Sequence, residues 1–397
     1  MIAVFCISSE KMTSNATDAI KYIENSEGIY PKIFYNNESC TLDNFTERTM
    51  LQRVSNNNDL NVLENAMSCG GYSRYWHGYL VFLKPMLCFL SYIQIRIVIL
   101  FVYAILLFSL FFLLAQKFNF PTALFFLISM LCVKAFIIPA SLQFVSVFNI
   151  MFIFCIWLLT AYDKNQNDNK MLVFFLVIGS ITSFIDLLTA PLITLGIPLI
   201  IYLLLSIQNQ KSFGFMSGIK KLFLTSLSWC IGYGATWIAK WLIGSAILQQ
   251  NVLADAFSTG SFRMFGNEKY PLDRYRVMAK NIYNLLGLYD TILCGLCVVI
   301  FIVWIALVCR YKKPWAECKK FVPIAITSVF PYIWYNVMAS HSQIHHWFTY
   351  RAQIITLFAV LVAMYNCINI SKLRNQWSNR RLSKKQPNVK YCDEENV

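Results

Sequence analysis

Residues 94–115 read QIRIVILFVYAILLFSLFFLLA, an apolar run in which Arg96 is the single charge. A helix rises about 1.5 Å per residue, so a run of this length crosses a hydrocarbon core of roughly 30 Å. Comparable runs follow at 120–139, 142–162, 171–189, 191–207, 222–247, 286–309, 321–338 and 348–369. They explain a 397-residue composition that is 57% hydrophobic and 14% charged, where a soluble domain carries about a quarter charged residues. The expected fold class is all-α: a polytopic transmembrane helical bundle of about nine complete spans. The net charge of +14 does not call for a nucleic-acid partner. Lys and Arg concentrate beside the apolar runs, where they act as topology signals.

Outward from that run, the 94–369 bundle is flanked by polar chain. Residues 1–9 (MIAVFCISS) read as the remnant of a first transmembrane helix, truncated at its start. Residues 10–93 form a long polar loop that ends in an interfacial helix at 77–93, HGYLVFLKPMLCFLSYI, with Lys84 snorkelling beside Pro85. A second polar loop spans 248–285, and a basic tail covers 370–397. Alternate connections hold Lys117; Lys164 and Lys170; Lys211, Lys220 and Lys221; and Arg310, Lys312, Lys313, Lys319 and Lys320. The short connections near 140, 190 and 340 hold no Lys or Arg. The positive-inside rule then places 10–93 and 248–285 on the extracytoplasmic face of a multi-pass cell-membrane protein, with the tail cytoplasmic. Of the 13 cysteines most lie in apolar stretches; Cys40 and Cys69 are the pair for which a disulfide is conceivable.

With this orientation the costly intramembrane charges, Lys134, Asp186, Lys240 and Arg351, fall toward the outer ends of their helices. All four histidines, His77, His341, His345 and His346, are outer as well. His341 and His345 share a helical face, but HSQIH lacks the Glu of the HExxH zinc motif. Contacts to a phosphate fit these residues better than a metal, and plain interfacial packing is the competing reading. In TLDNFTE (41–47), Asp43 and Glu47 are spaced to share a helical face and supply a base or hold a divalent cation; the alternative is a helix cap and a solvated glutamate. YSRYWHGY (72–79) places Arg74 and His77 among four aromatic rings, a pattern suited to stacking a sugar and clamping a phosphate. IDLLTAPLITLGIPL (185–199) sets Asp186 before Pro191, Gly196 and Pro198, a helix-breaking run of the kind that borders cavities.

This layout, an acidic outer segment, an interfacial helix and then many spans, resembles the GT-C glycosyltransferases. The resemblance covers the whole chain and rests locally on Asp43, the YSRYWHGY segment and Asp186. It implies a sugar transferred from a polyprenyl-phosphate donor to a cell-envelope glycan or lipid acceptor, at the membrane surface. It also implies Asp43, with Glu47 and Asp186, as the catalytic set. Arg74, His77, Lys84, His345, His346 and Arg351 would then hold the donor phosphate. No paired DxD-like motif is present and the first helix is incomplete, so a divalent cation stays an open expectation and no other cofactor is implied. The alternatives are a cell-envelope polysaccharide polymerase or ligase, a noncatalytic assembly subunit, and a lipid-linked oligosaccharide flippase or transporter. Against transport, the chain shows no internal repeat and its charges avoid the midplane.

Overall fold

The computed structural model describes residues 1–34, 36–162, 168–210, 213–286, 290–373 and 375–376. The expectations for Lys164, Lys211 and most of the basic tail lie outside the described residues. Among the described residues every regular element is a helix, and extended pairing is limited to isolated bridges.

The polar first loop folds as a helical cap: α1 (Ile2–Phe5), α2 (Glu10–Tyr22), α3 (Asn44–Gln52), α4 (Val62–Ser68) and α5 (Leu80–Phe89). Its helix starts are set by local side chains. The Ser9 hydroxyl accepts from Met12 N at 3.4 Å, Asp43 accepts from Thr46 N at 3.1 Å, and Asn61 with Glu64 closes a reciprocal capping box. Val4, Phe5, Met12, Ile23, Met50, Leu51, Leu80 and Leu87 share one apolar core, so the 1–9 segment packs into this cap. On α5, Phe82 and Phe89 stay exposed while Leu83 and Lys84 turn inward. Lys84 therefore does not snorkel: its Nζ donates to Asn56 Oδ1 at 2.8 Å and sits 4.3 Å from the centre of the Phe5 ring.

The bundle comprises α6 (Tyr92–Lys117), α7 (Phe120–Cys132), α8 (Leu142–Ala161), α9 (Asp168–Ile185), α10 (Ile193–Asn209) and α11 (Phe215–Leu248). Two further cap helices follow, α12 (Val252–Phe265) and α13 (Arg274–Leu286). Then come α14 (Asp290–Tyr311), α15 (Trp315–Cys318), α16 (Val322–Thr327), α17 (Phe330–Val337), α18 (Ala339–Ile344), α19 (His346–Thr349) and α20 (Ile354–Cys367). Among the described residues five helical stretches are long and apolar enough to cross a membrane: α6, α8, α9, α11 and His346–Cys367. Phe101, Ile105, Phe108 and Phe112 make an outward apolar stripe along α6, as a lipid-facing helix requires.

Other expected spans are shorter or broken, for identifiable reasons. The 120–139 run stops being α-helical at Cys132, where Lys134 takes a left-handed φ of 58°. Its Nζ bonds to the Asn284 and Leu285 carbonyls, which holds that conformation from outside the helix. The 321–338 run divides into α16 and α17, each with a proline in its first turn, where a missing N–H costs nothing. At 34 residues α11 is about 51 Å long, so it outruns the membrane and carries the cap. It lies almost backbone-to-backbone on α9: a Cβ on Gly232 would come within 2.1 Å of Leu176 O, and one on Gly179 within 2.2 Å of Trp229 O.

The two ends of the bundle differ. Cap segments α2–α5, α12 and α13 gather at the end where α6 begins. At the far end, Lys221 pairs with Asp168, Gln208 Nε2 donates to Lys117 O, and Lys313 N donates to Cys367 O. Cys40 and Cys69 are both buried with free thiols and belong to different apolar clusters, so the conceivable disulfide is not formed.

Candidate functional site

The two carboxylates of TLDNFTE have separate partners. Asp43 is the N-cap of α3, its Oδ2 accepting from Thr46 Oγ1 at 2.9 Å, and burial raises its carboxyl above the ordinary value. Glu47 is completely buried. It accepts from Tyr92 Oη at 2.5 Å and Leu142 N at 3.2 Å, and pairs with Arg96 at 3.5 Å. Arg96 also grips Glu27 at 2.5 Å. Glu47 thus ties the cap to α6 and α8, both of its oxygens hydrogen-bonded inside the protein. The expected base-or-metal pair is resolved into a cap and a mooring.

The YSRYWHGY segment, by contrast, gathers other polar groups around it. Tyr72 and Tyr75 stack, with ring centroids 5.5 Å apart and planes 3° from parallel. The Arg74 and Arg53 guanidiniums lie 4.4 Å and 5.0 Å from the Tyr72 ring. From α12, Arg263 donates to Tyr75 Oη at 2.5 Å and to Tyr72 Oη at 3.3 Å. Among the described residues Arg263 has no carboxylate in ion-pair range, whereas Arg74 pairs with Asp255 at 2.5 Å. Burial raises the Tyr72 phenol, but Arg263 and Arg74 outweigh it and leave the group below its ordinary value. Burial pushes Tyr75 up to about 12, opposed by Arg263 and reinforced by Tyr72 and, across the cluster, Asp186.

Asp186 lies one residue past the end of α9 and closes a tight turn. Its carboxylate accepts from Thr189 N at 3.0 Å and 3.1 Å, while Leu188 takes a φ of 67°. Burial pushes it up to about 6 against these hydrogen bonds. The same turn meets His341, whose Nε2–H donates to Leu188 O at 3.0 Å. His345 stands 4.8 Å from His341, ring to ring, and among the described residues its buried Nδ1 has no hydrogen-bond partner. Burial, then Arg263, then His346 bring His345 down to about 3. His77 falls to about 3 through burial and Arg53, with Nε2–H on Tyr72 O at 2.9 Å. His77 and His345 are therefore neutral near pH 7 and do not act as cationic acids, while His77 and His341 hydrogen-bond to backbone carbonyls.

The expected phosphate set at the final helix does not converge. His345 faces His341 and Phe348, but His346 turns to Asn284 at 2.9 Å and Glu38 at 3.7 Å. Arg351 runs beneath them, donating to Trp347 O and Ser39 O with its guanidinium 4.4 Å from the Phe144 ring. Lys84 lies within the cap core and Lys240 is committed to Met67 O at 2.8 Å. The candidate site is therefore Tyr72, Arg74, Tyr75, Asp186, Arg263, His341 and His345, of which Tyr72, Arg74, Arg263 and His345 are half-buried and the others buried. Sequence reading missed Arg263 and Asp255. Both sit in α12, a 14-residue helix too short to read as a span, and only its docking against α11 and α18 brings them in. Among the described residues no three His, Cys, Asp or Glu side chains converge as a metal site.

No protein family, curated protein or solved structure shows significant similarity to the chain.

Proposed function

We propose that the chain is a membrane glycosyltransferase acting from its extracytoplasmic face, taking a sugar from a polyprenyl-phosphate donor and giving it to a cell-envelope glycan or lipid acceptor. The observation that carries this reading is Arg263: a cation drawn among aromatic rings, bonded to two phenols and left without a carboxylate. Removing a cation from water without a counter-charge is costly, and an anionic ligand offsets that cost. A phosphate matches the planar donor fork of arginine. The stacked Tyr72–Tyr75 pair offers an aromatic face for the sugar.

In this mechanism Arg263 and Arg74 hold the donor phosphate. Asp186, near 6 and largely ionised at neutral pH, takes the proton of the acceptor hydroxyl as its oxygen attacks the anomeric carbon. The bond from that carbon to the phosphate oxygen breaks, and its electron pair leaves on the phosphate, stabilised by the two arginines. Asp43 and Glu47 act structurally. The nine-crossing topology belongs to the same proposal, with α16 and α17 together making one crossing and the cap outside.

The test supplies membranes containing the chain with a panel of radiolabelled polyprenyl-phosphate sugars. Transfer from one donor, lost in Arg263→Ala at normal protein levels, supports the reading. Joining of whole glycan chains would make it a polymerase or ligase. Movement of lipid-linked sugar across vesicles without transfer would make it a flippase.

A further inference from the structure

A groove of about 580 Å³ runs between the 32–38 turn and α13. Lys32, Asn36, Asn37 and Glu38 line one side, and Lys280 and Tyr283 the other. Helical spacing aligns Arg276, Lys280 and Tyr283 along one face of α13. Tyr283 is 61% exposed, an aromatic residue left open at the rim of a polar groove. At the centre Glu38 accepts from Lys280 Nζ at 3.1 Å and lies 3.7 Å from His346 Nδ1. Burial raises the Glu38 carboxyl, but Lys280, His346 and Lys32 outweigh it and hold it below the ordinary value. The chain thus fills a cationic centre with a carboxylate of its own. That carboxylate is displaceable, because Glu38 is 45% exposed and Lys280 32% exposed, and an exposed pair of this kind contributes only about 0–1 kcal/mol.

We propose that this groove binds a carboxylate-bearing sugar of the acceptor glycan, a uronic acid, whose carboxylate replaces Glu38 against Lys280 and Lys32 while its ring lies on Tyr283. The proposal rests on the transferase reading, and Trp347 joins the two sites: His346 beside the groove and His345 of the candidate active site both pack on its ring. Asn36 sets an amide group at the groove, where a sugar hydroxyl can reach it, and exposed Tyr283 supplies a stacking surface. A bare phosphate would use neither.

The experiment titrates the purified full-length chain in detergent, without donor, against an oligogalacturonate and against a neutral galactan oligosaccharide of the same length. Saturation-transfer NMR and calorimetry read binding at low and high salt. The oligogalacturonate is expected to bind at least about tenfold tighter than the neutral sugar, a difference of about 1.4 kcal/mol, and to weaken with salt. Lys280→Gln should reduce that affinity about tenfold, whereas Glu38→Gln, which removes the internal competitor, should raise it about threefold. Equal binding of the neutral sugar, unchanged or weaker binding in Glu38→Gln, or displacement of the oligogalacturonate by equimolar inorganic phosphate would each overturn the proposal. Because no donor is present, a negative result leaves the transferase reading standing, and failure of sugar transfer leaves this binding measurable.

Discussion

Asp43 and Asp186 are both buried aspartates that accept from backbone N–H groups nearby, yet their surroundings differ. Asp43 starts a helix beside Thr46 and, among the described residues, pairs with no cation. Asp186 closes a turn that touches His341 and acts on Tyr75, which Arg263 holds. The pair makes a direct comparison. Asp186→Asn keeps an acceptor for Thr189 N and should lower transfer by about 100- to 10,000-fold, the range for losing a general base. Asp43→Asn keeps an N-cap and should leave transfer near normal. In the unsubstituted protein the ionised Asp186 is the active form. Activity should hold above its folded value of about 6 and fall as pH drops through it; in Asp186→Asn the residual rate should lose that acid limb. Initial rates against pH with the identified donor check both statements, and a retained limb in Asp186→Asn would move the base elsewhere.

At the scale of elements, the cap stays on the bundle through a few polar moorings and one close helix pair. Glu47 reaches from α3 to Tyr92 and Arg96 on α6 and to Leu142 N on α8. Glu47→Gln weakens these bonds but leaves Arg96 with Glu27, so it should cost about 1–3 kcal/mol and lower the thermal midpoint in detergent. Below that midpoint sugar transfer should persist. Loss of transfer at unchanged stability would instead return Glu47 to the chemistry. The α9–α11 pair works differently: its glycines let two backbones touch, so α11 can stand as a stiff strut beneath α12. That strut is what brings Arg263 to Tyr72 and Tyr75.

For the whole molecule, the far end gathers Lys117, Lys221 and Lys313, while 12 of the 20 Asp and Glu residues lie in 1–93 and 248–285. This polarity matches the charge alternation along the chain and leads to an explicit topology. Single cysteines placed at Asn57 and Asn267, in a background without other reactive thiols, should react with an impermeant maleimide added to intact cells. One placed at Lys312 should react only after the membrane is opened. Labelling of Lys312→Cys from outside would invert the orientation and move both proposed sites to the cytoplasm.

The apolar runs by themselves determined the helical class and the places of the long spans, because the hydrophobic effect and helix rise act locally along a chain. They did not show where a span breaks. Nothing local in 120–139 announces that Lys134 will turn to the Asn284 and Leu285 carbonyls and end α7, since those acceptors lie about 150 residues away. The YSRYWHGY segment and Asp186 were legible as candidates because polar residues clustered beside membrane helices are costly wherever the chain then goes. Their partner was not. Arg263 sits in a short, mostly apolar helix and acquires its role only when α12 docks. The HSQIHHWFTYR run misled for the same reason: His345 turns to His341 and Phe348, His346 to Asn284 and Glu38, and Arg351 to Ser39 O. Tertiary packing decides which charges meet, because a buried charge is stabilised by groups within a few ångströms in space, whatever their distance along the chain.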